Sequence, residues 1–106
     1  CSDKNGVGFD GLKNNFEKRN FRSEKFKAKI TFDPPSFSAK DLGMTWSKMI
    51  CLEPVDNLSM TCANDFGDII TTGGKISSEN YLRYTRAMTY GRNDDVVIYH
   101  GTCEKF

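Results

Sequence analysis

The stretch Ile50-Cys51-Leu52-Glu53-Pro54-Val55-Asp56-Asn57-Leu58-Ser59-Met60-Thr61-Cys62 decides the fold. Pro54-Val55-Asp56-Asn57 carries turn-forming residues between two apolar-rich runs. With Asp56-Asn57 as a two-residue tip, Val55 faces Leu58, and the same ladder brings Cys51 opposite Cys62. Directly opposed residues of an antiparallel pair have Cα atoms roughly 4.5–5.5 Å apart, within disulfide reach. The spacing therefore favours a hairpin locked by Cys51–Cys62. Four cysteines allow three connectivities, and sequence alone does not decide among them. If the hairpin bond forms, Cys1–Cys103 follows by elimination and ties the two ends of the chain.

Outward from this hairpin, further strands are legible. Phe26, Ala28, Ile30 and Phe32 alternate with Lys27, Lys29 and Thr31, the period of a half-buried strand. Pro34-Pro35 ends it, because proline lacks the amide a ladder needs. Residues 42–52, with the single Trp46, read as a second strand region, and 67–72 as a short strand before a Gly73-Gly74 turn. Tyr81 to Tyr90 and Asp95 to Cys103 read as a long hairpin around Gly91-Arg92-Asn93-Asp94. A tip centred on Asn93 sets Met88 opposite Ile98, Tyr90 opposite Val96 and Arg86 opposite His100. Leu82, Tyr84, Met88, Tyr90, Val96 and Ile98 then share one face. A one-residue slip would break this register.

Towards the start of the chain, residues 1–8 read as loop. Phe9, Leu12 and Phe16 recur at helical spacing, with Asp10 as a cap, and predict a helix over 9–22. Gly11 and Asn14-Asn15 weaken it. The expected class is α+β with β dominant. One N-terminal helix packs on a five- or six-stranded, mostly antiparallel sheet, stabilised by disulfides in a single domain, 1–106.

Composition limits the function. Fifteen Lys and Arg balance fourteen Asp and Glu, so electrostatics give no case for a nucleic-acid partner. Lys13, Lys18, Arg19, Arg22, Lys25, Lys27 and Lys29 cluster early, and read as a solvated face ahead of a docking patch. Paired cysteines suit an oxidising, extracytoplasmic setting. A single His and no C-x-x-C pair argue against a metal site, and nothing calls for a cofactor. No apolar run is long enough to span a bilayer as a helix. Gly73-Gly74-Lys75 lacks the spacing of a phosphate loop. Asn57-Leu58-Ser59 is an N-glycosylation acceptor triplet, a pattern that also arises by chance.

Two constellations are candidates for a site. Glu53, Arg86 and His100 are types that together could cleave a phosphodiester, as base, phosphate-binding cation and acid. No spacing forces Glu53 towards His100, so an ordinary structural histidine is favoured. Tyr84, Arg86, Tyr90, Arg92 and Tyr99 make the last hairpin rich in the types enriched at binding hot spots. A division of these residues between core and ordinary surface competes with that reading.

The opening Cys1-Ser2-Asp3-Lys4-Asn5 resembles the mature N-terminus of a bacterial lipoprotein. That resemblance implies a lipid on Cys1 and a membrane tether, and would leave one of the other cysteines unpaired. Tyr99 to Phe106 is similar in general appearance to the last strand of small periplasmic proteins. The order of Cys, helix, sheet and Cys also resembles the fungal secreted ribonucleases and ribonuclease-like effectors. That family's catalytic pattern has two His, a Glu and an Arg, and this chain offers only Glu53, Arg86 and His100. The expected function is a non-enzymatic extracytoplasmic binding protein, secreted or periplasmic, that inhibits, neutralises or docks onto a protein partner. The alternative is a ribonuclease-like protein, active or catalytically dead.

Overall fold

A computed structural model describes residues 1–9, 18–20, 22–32, 34–52, 59–73, 81–88 and 96–104. Nine strands occur among them: β1 (Ser2–Phe9), β2 (Lys18–Asn20), β3 (Lys29–Phe32), β4 (Pro35–Ser38), β5 (Ile50–Cys51), β6 (Ser59–Ala63), β7 (Asp68–Gly73), β8 (Tyr81–Met88) and β9 (Val96–Glu104). Seven form one antiparallel sheet in the order β2-β1-β9-β8-β7-β6-β5. The β3–β4 hairpin is a separate two-stranded sheet.

Both expected disulfides are present. Cys51 lies opposite Cys62 in the β5–β6 ladder and bonds to it. Cys1 bonds Cys103. The alternation from Phe26 to Phe32 also holds: Phe26 is buried, Ala28, Ile30 and Phe32 are half-buried, and Lys27, Lys29 and Thr31 are exposed.

The N-terminal helix expected over 9–22 is not formed. Phe9 is the last residue of β1, and Lys18–Asn20 is β2, paired back onto it. Residues 10–17 lie outside the described residues, among which no α-helix occurs. Three apolar positions diluted by Gly11 and two Asn make a poor helix, and tertiary pairing outweighs so weak a propensity. The loop expected over 1–8 is instead strand β1. Its glycines suit a close approach to β9: a methyl group at Gly8 would run into the Val96 carbonyl.

The strand expected over 42–52 is mostly 3-10 turn, at Lys40–Leu42 and Met44–Ser47, and only Ile50–Cys51 is strand. Gly43 between the turns has φ +120°, a conformation open to glycine. The turns carry Trp46 into the core. β3 does end before Pro34-Pro35, but only Pro34 lies in the turn; Pro35 opens β4 opposite Phe32.

The last hairpin is slipped by one residue from the expected register. Arg86 faces Tyr99, Thr85 faces His100, and Met88 faces Val97. Both parities of β9 carry apolar residues, so hydrophobicity alone did not choose between them. The parity realised sends Val97, Tyr99, Gly101 and Cys103 inwards, where Cys103 meets Cys1. Val96 and Ile98 therefore point outwards.

The inner face of the large sheet is covered by Phe26, Phe37, Ala39 and Trp46. Beneath them lie Met60, Cys62, Ile70, Leu82, Tyr84 and Cys103. Gly101 is needed there, since a side chain would collide with the Ser2 carbonyl and the Tyr84 hydroxyl.

Candidate functional site

The sheet has two faces of different chemistry. On the inner face, Arg86 is only 2% exposed. Its Nε donates to Asp3 Oδ1 at 3.1 Å and its Nη2 to Asp3 Oδ2 at 2.7 Å. The Tyr84 hydroxyl donates to Asp3 Oδ1 at 2.6 Å, and the Glu24 amide to Oδ2 at 3.0 Å. The Arg86 Cζ lies 4.1 Å from the Tyr99 ring centre, 5.5 Å from Trp46 and 5.6 Å from Phe26. A bidentate carboxylate and three aromatic rings thus hold the buried charge.

A register shift in β1 makes this pairing possible. Asp3 lies opposite Gly101 and Asn5 opposite His100, so Lys4 is an extra residue in the ladder. Regular alternation would put Asp3 on the same face as Asn5 and Val7. The bulge turns it inwards onto Arg86.

Burial favours the neutral Asp3 carboxyl. The hydrogen bonds from Arg86, Tyr84 and the Glu24 amide, with the Arg86 charge, outweigh that and hold Asp3 below its ordinary range. Burial raises the Tyr84 phenol well above its usual value, and the Asp3 carboxylate adds to the rise. The stability supplied by Asp3 is therefore full above about pH 4 and is lost as pH falls through the lower folded value. The stability supplied by Tyr84 is full below about pH 10 and is lost above it. We expect thermal melting to show a plateau between these limits. In Tyr84→Phe the alkaline fall should be shallower. An alkaline limb identical to that of the unchanged protein would contradict the assignment.

Of the candidate phosphodiester-cleaving set, Arg86 and His100 are not brought together. Arg86 points into the core, whereas His100 is exposed on the opposite face, across from Thr85. Glu53 lies outside the described residues. Of the Tyr- and Arg-rich hairpin surface, Tyr84, Arg86 and Tyr99 are buried at 1%, 2% and 4% exposure. Tyr90 and Arg92 lie outside the described residues. The Cys1 sulfur is bonded to Cys103, so it is not free to carry the thioether lipid of a lipoprotein. Among the described residues no cluster of His, Cys, Asp or Glu could hold a metal ion, and no helix is long and apolar enough to cross a membrane. An open depression beside Arg22, Ser23, Glu24 and Lys25 mixes both charge signs.

The outer face carries a feature that the sequence reading missed. Val7 lies opposite Ile98, Ile98 opposite Ala87, Ala87 opposite Ile69, Ile69 opposite Ala63, and Ala63 opposite Ile50. Opposed residues share a face, so these six make an apolar row across six strands. Val7, Ile98, Ile69 and Ile50 are 40%, 48%, 39% and 73% exposed.

The next row, Asn5, His100, Thr85, Thr71 and Thr61, carries hydroxyls, an amide and an imidazole. In a chain that is 27% charged, the outward described residues of β5 to β9 carry only two charged side chains of the Asp, Glu, Lys and Arg types. These are Arg83 and Glu104, both beyond the threonine row. No protein-family profile, curated protein or solved structure is detectably similar to the chain.

A signal for the outer row was present. Val96-Val97-Ile98-Tyr99 and Ile69-Ile70 are unbroken apolar runs, which a strand with one solvated polar face does not need.

Proposed function

We propose that this chain is a non-enzymatic binding protein that works outside the cytoplasm, secreted or periplasmic, and docks a protein partner through the outer face of its large sheet. The observation that supports it most is the exposed row Val7–Ile98–Ala87–Ile69–Ala63–Ile50 on a surface almost without charge. Depletion of charge at the centre of a patch is the compositional mark of a protein interface. Exposed apolar patches of this kind on a soluble domain mark interaction sites. Two disulfides and a buried ion pair make the sheet a rigid platform, which lowers the entropic cost of docking.

The test is a binding measurement with a partner recovered by crosslinking from extracellular fluid and then purified. Ile98→Lys and Ile69→Lys are each expected to weaken binding at least about tenfold, because a charge is forced into an apolar contact. Both should melt close to the unchanged protein, since the residues point to solvent. Lys27→Ala, away from this face, should bind normally. Outer-face variants that bind as tightly as the unchanged protein would remove the assignment.

A further inference from the structure

We infer that the outer face docks a second copy of this chain, the two sheets packing face to face about a two-fold axis that runs along the strands between β7 and β8. The inference rests on the docking reading above and concerns the same face.

The outer row is complementary to itself in side-chain size. Along Ile98–Ala87–Ile69–Ala63–Ile50 the side chains alternate large, small, large, small, large. Packed sheets interdigitate their side chains, and a large residue needs a small one opposite it. A two-fold axis midway between Ala87 and Ile69 reverses the row onto itself. Ile69 then meets Ala87 of the second copy, and Ala87 meets Ile69. Ile98 meets Ala63, and Ala63 meets Ile98. Val7 and Ile50 close the two ends against each other. Each contact is made twice, as an isologous interface requires.

The neighbouring row obeys the same operation. Thr85 falls over Thr71 of the second copy and His100 over Thr61, groups that can donate to and accept from one another. The scarcity of charge matters equally. A surface of one charge sign repels its own copy, whereas the apolar and threonine rows carry no Asp, Glu, Lys or Arg and are compatible with themselves.

The area sets the strength. Six strands at about 4.8 Å spacing span roughly 24 Å, and the rows from Val96 to Thr102 cover roughly 20 Å along the strands. Two copies would bury on the order of 1,000 Å², near the lower bound for a specific interface. An interface of that size belongs to the weak, transient kind, for which concentrations of roughly tens to hundreds of micromolar are the range to search.

Sedimentation velocity from about 5 µM to about 1 mM spans that range. The unchanged protein should pass from monomer to dimer across it. Ile69→Ala leaves a void and Ala87→Ile a collision, so each should weaken dimerisation about fivefold or more. The double variant Ile69→Ala/Ala87→Ile exchanges knob and hole at the axis and should recover most of the loss. A protein that stays monomeric throughout overturns the inference, as does a dimer indifferent to these substitutions or not rescued by the exchange. The docking reading fails separately, if Ile98→Lys leaves capture of the purified foreign partner unchanged.

Discussion

Asp3→Asn should destabilise the protein by about 3–5 kcal/mol, the usual cost of leaving a buried charge without its partner. The substitution keeps the shape of the side chain, removes its charge and turns one acceptor oxygen into an NH2 donor. Arg86 would then sit in the core with one neutral acceptor in place of the bidentate carboxylate and three aromatic rings unable to replace it. The double variant Asp3→Leu/Arg86→Met should recover most of the loss, because packed apolar side chains replace a buried ion pair at little cost. Urea unfolding near neutral pH reads both effects, as a shift in midpoint at constant slope. A single-variant loss under about 1 kcal/mol would show that the cluster is not the electrostatic centre of the core.

The second large effect concerns the disulfides, which should be unequal. Cys1 and Cys103 are 102 residues apart, whereas Cys51 and Cys62 are 11 apart. In the chain-entropy model, opening the long loop costs about 4.7 kcal/mol and opening the short one about 2.8 kcal/mol. Cys1→Ser/Cys103→Ser should therefore lower stability by about 2 kcal/mol more than Cys51→Ser/Cys62→Ser. Equal losses would mean that strain or residual structure in the unfolded chain, rather than loop closure, governs the bonds. The long bond also secures Ser2 and Asp3 beside β9, so its removal should make the Asp3 clamp easier to open.

What the sequence disclosed depended on how local each signal was. The Cys51–Cys62 hairpin was readable because its turn residues and both cysteines lie within one short segment. The alternation from Phe26 to Phe32 was readable for the same reason. The role of residues 1–8 was not. Ser2, Asp3, Lys4 and Asn5 have no apolar period, and become strand because β9, at the far end of the described chain, offers them a ladder. The helix expected over 9–22 failed because three well-spaced apolar residues do not outweigh pairing with β1.

The outer apolar row was hidden by a single parity. With β9 out by one residue, Ile98 reads as core and Tyr99 as surface. In the structure the two exchange places. The Asp3–Arg86 pair was beyond a period-two reading altogether, because it depends on one extra residue at Lys4.

The neighbouring placement of β1 and β9 also governs how this chain reaches its fold. β1 hydrogen-bonds along most of its length to the strand made last among those described. No earlier segment supplies that ladder, so the pairings of shorter range are available first: β1–β2, β3–β4 and the β6–β7–β8 meander. Proteins dominated by such distant pairings fold in roughly milliseconds to seconds. Until β9 arrives, β1 has only β2 to pair with, along Val7–Phe9, and has no strand to join it to the rest of the large sheet. A nascent chain is thus kept from closing its core early, and oxidation of Cys1 with Cys103 is a late event.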